Sequence, residues 1–195
     1  MSSEKKSEKR LWLVRHAPVA GVAGTIHGSD APADLSDTRR IDALRMKLPP
    51  ACPAYCSPTR RTVETARALG FTAVSEAKFR EQDFGRWTGR THRDIAKESP
   101  ELYAEFWRAP ARNRPPGGES FEDQIARVAI ALEALPPGDS VLIVHSGTIR
   151  AALSIALGIG GENALRFAID PLSLTRIDQL GDDWRVNAVN VLIAQ

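Results

Sequence analysis

LWLVRHAPVAG, residues 11–21, opens with four apolar residues and places an arginine and a histidine directly after them. Leu11–Val14, bounded by polar and turn-forming residues, predicts a short buried strand. In open α/β sheets, ligands gather at the carboxyl ends of the strands. We therefore expect Arg15 and His16 to lie where this protein binds its ligand.

The rest of the chain alternates strand-like and helix-like patterns. Short apolar runs between turn residues predict strands at Leu11–Arg15, Ala54–Cys56, Thr72–Ser75, Val141–His145, Leu172–Ile177 and Arg185–Ile193. Apolar spacing and capping residues predict helices at Ser36–Leu48, Thr59–Leu69 and Glu119–Leu135. Strands separated by helices indicate an α/β three-layer sandwich. Its mostly parallel central sheet is flanked by helices, with one antiparallel strand near the C-terminus.

Length and composition limit the class of protein. With 195 residues, 43% of them hydrophobic, the chain suits one globular domain, which we assign to residues 11–195 after a flexible charged tail at 1–10. Lys+Arg 26 against Asp+Glu 24, without a long basic run, argues against nucleic-acid binding. The absence of a long apolar stretch predicts a cytoplasmic protein with no membrane partner. Cys52 and Cys56 fit neither a disulfide framework nor a paired metal motif.

Three later stretches bring further polar groups to the ends of predicted elements. VLIVHSGTIR, residues 141–150, is a second apolar strand that ends in a histidine, His145. CSPTRRTVETA, residues 56–66, puts Arg60 and Arg61 in the first turn of a helix, where free N–H groups and the helix dipole favour an anion. FREQDFGRWTG, residues 79–89, offers the carboxyl groups of Glu81 and Asp83 as candidate proton donors.

Each of these residues alone is more often a capping or packing residue than a catalytic one. Their combination is more specific, because two imidazoles and two guanidiniums are costly to hold together without an anion between them. A phosphoryl group, whose charge is spread over several oxygens, suits such surroundings. The sequence therefore indicates phosphoryl chemistry, with covalent transfer to a histidine as one route.

Four segments, in this order, resemble the histidine phosphatase superfamily, also called phosphoglycerate mutase-like. They are Leu13–His16, the SPxxR segment that ends at Arg61, Glu81 before Phe84–Gly85, and His145 in VHSG. The resemblance implies that His16 accepts the phosphoryl group and that Glu81 donates the proton. It implies that Arg15, Arg61 and His145, if the last is protonated, hold the phosphoryl oxygens. It implies neither a metal ion nor another cofactor.

The same resemblance distinguishes two adjacent arginines and indicates further contacts. In the family pattern the arginine stands four residues after the serine of SPxxR, which is Arg61, while Arg60 is a candidate contact at the rim. Ser146 and His92 are further candidate substrate-binding residues. His27 is expected at the surface or the rim.

The expected substrate follows from a narrower similarity. Residues 81–95, 115–121 and 167–177 are most similar to the α-ribazole phosphatases of cobalamin biosynthesis, which implies α-ribazole 5′-phosphate or adenosylcobalamin 5′-phosphate as substrate. A general sugar-phosphate phosphatase and a phosphoglycerate mutase-type phosphotransferase are the alternatives. Mutases of this superfamily carry a longer insertion after the acidic residue, whereas here the PPGGES segment follows Glu81 more closely. A phosphatase is therefore favoured over a mutase. Ala17 and Pro18 also depart from the family pattern, which has glycine and then a small polar or acidic residue at these positions.

Two other classes of protein fit the sequence less well. A non-catalytic phosphate-binding protein would be expected to lack the nucleophile or the acid, and both are present. A metalloprotein would need histidines at ligand spacing, and positions 16, 27, 92 and 145 form neither HxH nor HExxH. We therefore expect the protein to bind a phosphorylated small molecule. We expect it to be a monomer or a homodimer.

Overall fold

The fold is built on one six-stranded sheet. A computed structural model describes residues 8–193. Its strands are β1 (Lys9–Arg15), β2 (Ala54–Cys56), β3 (Val74–Ser75), β4 (Gly138–Val144), β5 (Leu174–Leu180) and β6 (Asp183–Val191). They lie in the order β3-β2-β4-β1-β5-β6, parallel from β3 to β1, with β5 antiparallel to both of its neighbours. This arrangement confirms the predicted sheet, in which one strand near the C-terminus is reversed.

The central strands carry apolar residues on both faces. Leu13 of β1 and Leu142 of β4 belong to one core cluster, whereas the next residues, Val14 and Ile143, belong to a second cluster on the opposite face. Successive side chains of a strand point to opposite faces, so a strand covered on both sides needs a continuous apolar run. The runs in residues 11–14 and 141–144 meet that need.

Helices cover the two faces and give the predicted three layers. The helices are α1 (Thr38–Arg45), α2 (Arg60–Ala68), α3 (His92–Glu98), α4 (Pro100–Arg108), α5 (Phe121–Glu133), α6 (Ser146–Leu157) and α7 (Gly161–Ala164). Residues of α1 and α2 pack on one face of the sheet, and residues of α5, α6 and α7 pack on the other. Helices α3 and α4 contribute to a third, smaller cluster that contains Ile26, Trp87, Ile95 and Phe106.

Helix ends follow local capping chemistry. The Ser120 hydroxyl accepts the Asp123 N–H, and the Asp123 carboxylate accepts the Ser120 N–H, a capping box that starts α5. In α1 the cap is Asp37, whose carboxylate accepts the Arg40 N–H at 3.0 Å, so this helix begins later than the predicted Ser36.

No helix within residues 8–193 is long and apolar enough to cross a membrane.

The N-terminal boundary differs from the expected one. Lys9 and Arg10, expected in a flexible tail, are the first residues of β1. The Lys9 ammonium donates to the main-chain oxygens of Leu132 and Glu133, at 3.1 and 2.7 Å, and so satisfies carbonyls at the end of α5. The remainder of the expected tail, residues 1–7, lies outside the described residues.

Candidate active site

The predicted histidines lie side by side at the carboxyl edge of the sheet. Arg15 at the end of β1 pairs in register with Val144 at the end of β4. The next residues are His16 and His145, whose ring centroids are 5.1 Å apart. The His16 N–H donates to the Val144 carbonyl at 2.9 Å, which extends the parallel ladder by one residue. Adjacent parallel strands thus bring together two residues that are far apart in sequence.

His16 is held as a neutral imidazole with one nitrogen available. Its Nδ1 lies 2.6 Å from the Ala17 carbonyl oxygen, which can only accept, so Nδ1 carries the hydrogen and Nε2 is unprotonated. Burial, then the neighbouring His145, lowers the pKa of His16 well below its ordinary value. The Ala17 N–H donates to the Thr65 hydroxyl at 3.0 Å and so anchors the residue whose carbonyl orients the ring. A neutral imidazole with a defined tautomer is a competent nucleophile.

Arg61, at the start of α2, reaches both histidines. Its Nε donates to His16 Nε2 at 3.3 Å, and its Nη2 lies 3.4 Å from His145 Nδ1. Its Nη1 donates to the Gly28 carbonyl at 2.7 Å. Burial lowers the pKa of Arg61, but a guanidinium stays charged in proteins. The side chain therefore supplies a fixed positive charge beside the lone pair of His16.

His145 is completely buried and is neutral without a bound anion. Burial, then Arg61 and Arg15, lowers the pKa of His145 well below its ordinary value. Because Arg61 can only donate, His145 Nδ1 accepts, and Nε2 carries the hydrogen toward the Thr59 hydroxyl at 3.4 Å. A bound phosphoryl dianion would favour the charged form of His145 and raise its pKa.

Two further guanidiniums reach the same space. Arg15 donates to the Ile169 carbonyl through Nη1, and its buried Nε has no hydrogen-bond partner within the described part of the chain. Arg150, on α6, donates to the Phe167 carbonyl at 2.8 Å. Both line one large cleft together with Arg61. A buried N–H without a partner costs free energy, and an anion in the cleft would remove that cost.

Glu81 lines the same cleft and lies beside the start of α6. One carboxylate oxygen accepts the Gln82 N–H at 3.1 Å and the Gln124 amide at 3.3 Å. The other accepts the Ser146 hydroxyl and the Gly147 N–H, each at 3.3 Å. A side chain at Gly147 would overlap this carboxylate, since a Cβ there would lie 2.1 Å from Glu81 Oε1.

Asp83 is engaged elsewhere, which distinguishes the two carboxyl groups of this segment. Its side-chain oxygen accepts the Gly85 N–H at 2.8 Å and closes a turn within its own loop. Glu81, by contrast, contacts the helix that begins directly after His145. The geometry therefore favours Glu81 over Asp83 as the acid.

Comparisons with known proteins identify the family. The family model of the histidine phosphatase superfamily (branch 1) matches residues 11–192. The chain belongs to the histidine phosphatase superfamily. A putative phosphoserine phosphatase 2 of Hydrogenobacter thermophilus is 27% identical over 94% of this chain and 96% of its own length. An adenosylcobalamin/alpha-ribazole phosphatase of Salmonella typhimurium is 28% identical, over 87% and 90% respectively.

A solved structure agrees with the fold as well. The crystal structure of a putative alpha-ribazole-5′-P phosphatase from Escherichia coli has a TM-score of 0.84, with 22% sequence identity over 95% of this chain and 98% of that one. At this identity the match supports the shared fold alone. Family and named phosphatase relatives together identify this histidine phosphatase as a phosphoric monoester hydrolase, an enzyme that acts on phosphorylated small molecules.

Most of the predicted site residues of this histidine phosphatase line one cleft; His145 is buried behind it, and Arg60 lies elsewhere. Its guanidinium pairs with Glu64 at 2.6 Å on the exposed side of α2 and lines a separate shallow depression. Arg60 and Arg61 are adjacent in a helix and so point about 100° apart. Ser146 and His92 line the cleft, and so does His27, expected at the surface or rim. Arg60 thus lies outside the cleft, and its contact with substrate stays a prediction.

One positioning residue of the phosphatase was missed in the sequence. Arg127 of α5 donates to the main-chain oxygens of Lys78, Arg80 and Glu81, and its guanidinium also bonds the Glu119 carboxylate. These bonds tie the irregular segment that carries Glu81 to a regular helix. Helical spacing makes position 127 look like an ordinary surface position, so the pattern gave no signal.

The described residues offer no group of three or more His, Cys, Asp or Glu side chains that could hold a metal ion. Burial lowers the pKa of three arginines in the phosphatase cleft, Arg15, Arg61 and Arg150. The carboxylates that line the same cleft are Glu81, Asp83, Glu119 and Glu162. Fixed guanidiniums can neutralise a phosphoryl group much as a metal ion does.

Proposed function

We propose that this enzyme hydrolyses a phosphomonoester through a covalent phosphohistidine on His16, without a metal ion. The observation that carries the proposal is the state of His16. Its Nδ1 is bonded to the Ala17 carbonyl, its Nε2 is unprotonated, and Arg61 lies within 3.3 Å of that nitrogen. A nucleophile of this kind next to fixed positive charge suits phosphoryl transfer.

In the first step, His16 Nε2 attacks phosphorus and the bond from phosphorus to the ester oxygen breaks. Phosphoryl oxygens take over the N–H groups of Arg61 and Arg15, including the unpartnered Nε of Arg15. The leaving alkoxide takes its proton from Glu81, which enters this step as the carboxylic acid. The Ala17 carbonyl accepts the remaining ring N–H and stabilises the positive charge on the phosphorylated imidazole.

In the second step, water attacks phosphorus and the phosphorus–nitrogen bond breaks. Glu81, now ionised, takes a proton from that water and becomes the acid again. His16 leaves as the neutral imidazole, and phosphate departs. His145, whose pKa rises when the dianion binds, donates a hydrogen bond to the phosphoryl oxygens in both steps.

The experiment is to trap the intermediate. Wild-type enzyme mixed with a labelled phosphomonoester and quenched in alkali should retain protein-bound label, and acid should release it, because phosphohistidine is acid-labile. His16→Ala should show neither label nor turnover. Turnover should persist in EDTA. An acid-stable, alkali-labile adduct, or activity that is lost with EDTA and restored by a divalent ion, would contradict the proposal.

For the substrate, we propose α-ribazole 5′-phosphate or adenosylcobalamin 5′-phosphate. The support is the similarity of residues 81–95, 115–121 and 167–177 to α-ribazole phosphatases, together with the Salmonella typhimurium relative. The cleft, of about 1190 Å³, also has room for a leaving group far larger than the phosphoryl group. The test is kcat/KM for α-ribazole 5′-phosphate against simple sugar phosphates. A higher value for the sugar phosphates would favour the general phosphatase.

A mutase-type transfer is separated from hydrolysis by its product. Release of inorganic phosphate in a one-to-one ratio with the alcohol supports the hydrolase, and an isomeric phosphate ester would support a phosphotransferase. The cytoplasmic location, the absence of nucleic-acid partners and the monomeric or homodimeric state stay predictions.

A further inference from the structure

The wall formed by α3 and α4 exposes an aromatic surface to the cleft. Trp107 of α4 lines the cleft and is 46% exposed, and His92 at the start of α3 lines it as well. The two ring centroids are 5.8 Å apart. Large aromatic surfaces in contact with water are unfavourable and commonly mark a place where a ligand packs.

The two rings are fixed from behind by other aromatic side chains. Trp107 packs almost perpendicular to Phe106, with centroids 5.1 Å apart, and against Tyr103 at 6.0 Å. The Tyr103 hydroxyl lies 3.3 Å from His92 Nδ1 and restrains that ring. Phe106 is in turn buried beside Trp87. A rigid surface loses little conformational entropy when a ligand packs on it.

The charge at this wall differs from that at the phosphate end of the cleft. Burial lowers the pKa of His92, so its imidazole is neutral at pH 7. The buried guanidiniums of Arg15 and Arg61 lie instead with His16. The cleft thus combines a cationic end, suited to a phosphoryl group, with two uncharged packed rings on the wall formed by α3 and α4.

We propose that Trp107 and His92 form a stacking surface for a planar aromatic ring carried by the leaving group. The preferred substrates are then phosphomonoesters whose alcohol bears an aromatic heterocycle, as in nucleoside-like 5′-phosphates. This inference rests on the proposed phosphomonoesterase activity and adds the element that selects the alcohol. The two residues contact the part of the substrate that leaves and take no part in the transfer itself.

An anionic leaving group is the opposing possibility within the same cleft. Arg108 and Arg166 line it too, but both side chains are exposed to water. Exposed guanidiniums contribute little to binding because water and salt screen their charge. The packed aromatic rings are therefore the better-defined surface for recognition.

Adenosine 5′-monophosphate and ribose 5-phosphate form a matched pair of substrates. Both release the primary 5′-oxygen of a ribose, so the chemical step is alike and only the heterocycle differs. The wild-type enzyme should have the higher kcat/KM for the nucleotide. Trp107→Ala should reduce this discrimination about tenfold, the usual scale for losing one stacked ring, while Trp107→Phe should keep most of it. The matched control is Leu102→Ala, since Leu102 is an exposed residue of the same helix outside the cleft lining.

A binding measurement separates failure of this inference from failure of the proposed function. In His16→Ala enzyme, which cannot form a phosphohistidine, calorimetric titration should give tighter binding of the nucleotide than of ribose 5-phosphate. Adding Trp107→Ala should remove the difference. Equal affinities, a difference that survives Trp107→Ala, or tighter binding of O-phosphoserine would overturn the stacking surface. A missing phosphohistidine in the wild-type trapping experiment would overturn the proposed function instead.

Discussion

Replacing Gly147 by alanine tests the position of the general acid. A Cβ at this position would lie 2.1 Å from Glu81 Oε1 and 2.8 Å from Gln124 Oε1, whereas ordinary contact begins at 3.4 Å. Glu81 Oε1 must therefore move by about 1.3 Å, which displaces the carboxylate whose Oε2 accepts the Gly147 N–H. A displacement of about 1 Å of a reacting group costs on the order of 10²-fold in rate, and general acid catalysis as a whole is worth about 10²–10⁴-fold.

The loss should depend on the leaving group. An alkoxide needs the proton, so Gly147→Ala should slow hydrolysis of ribose 5-phosphate by about 10²-fold. A nitrophenolate leaves without protonation, so the burst of nitrophenolate on rapid mixing with p-nitrophenyl phosphate should keep nearly its wild-type rate. The burst reports transfer to His16 alone, and so it is independent of the later hydrolysis, which also uses Glu81. Glu81→Gln should show the same leaving-group dependence.

The matched control is Gly160→Ala. Gly160 has φ −64° and an added Cβ would meet no atom within 4 Å, so this variant should retain wild-type kinetics on both substrates. The double variant of Gly147→Ala with Glu81→Gln should be no slower than the slower single variant, because both changes remove one function. Wild-type turnover of ribose 5-phosphate by Gly147→Ala would refute the placement of the acid. Leaving-group dependence in Asp83→Asn instead would move the role to Asp83.

Three further outcomes follow from the contacts in the cleft. Arg61→Ala should reduce kcat/KM far more than Arg60→Ala, because Arg60 pairs with Glu64 on the exposed side of α2; equal losses in steady-state kinetics would contradict this. Burial depresses the pKa of His16 and His145 in the folded state, so the unfolded chain binds more protons below pH ~6.5. Their contribution to the free energy of unfolding is thus complete above that pH and is lost as pH falls, by about 1.4 kcal/mol per pH unit for each histidine. In denaturant unfolding, the free energy of unfolding of His145→Gln should therefore fall less steeply with decreasing pH than that of the wild type. Sulfate, which does not titrate in this range, should bind with proton uptake and more tightly at lower pH, as calorimetry in two buffers of different ionisation enthalpy would show; binding without proton uptake would contradict the neutral resting histidines.

The sequence predicts the parts of the site that lie at the ends of strands. Apolar runs at residues 11–14 and 141–144 identify two buried strands, and the histidine after each run is expected at the ligand-binding edge. That β1 and β4 are neighbours is a property of the whole sheet, which local patterns do not encode. The choice of Arg61 over Arg60 came from the resemblance to the family pattern; helical geometry adds only that two adjacent side chains diverge.

The residues that the sequence did not reveal act through the main chain or through distant packing. Arg127 bonds to carbonyl oxygens more than 45 positions away, and any residue type offers such an oxygen. Helix α3 has a single buried residue, Ile95, so its apolar spacing carries almost no helical signal. Because neither α3 nor α4 was predicted from the sequence, the contact between His92 and Trp107 could not be predicted either, although His92 alone was a candidate.

The hydrogen bonds of the resting cleft account for how a nucleophile and its positive surroundings coexist. Arg61 occupies the lone pairs of both imidazoles, at 3.3 Å from His16 Nε2 and 3.4 Å from His145 Nδ1, distances that mark weak bonds. Phosphoryl oxygens are stronger acceptors for a guanidinium than neutral nitrogens are, so in the proposed mechanism a bound phosphate group would draw Arg61 away from both rings. His16 Nε2 then faces phosphorus without a competing donor, and His145 gains a negative neighbour that favours its protonation. The same event that places the substrate thus frees the nucleophile and charges the second histidine, which is why a site with both imidazoles neutral at rest is suited to a dianionic substrate.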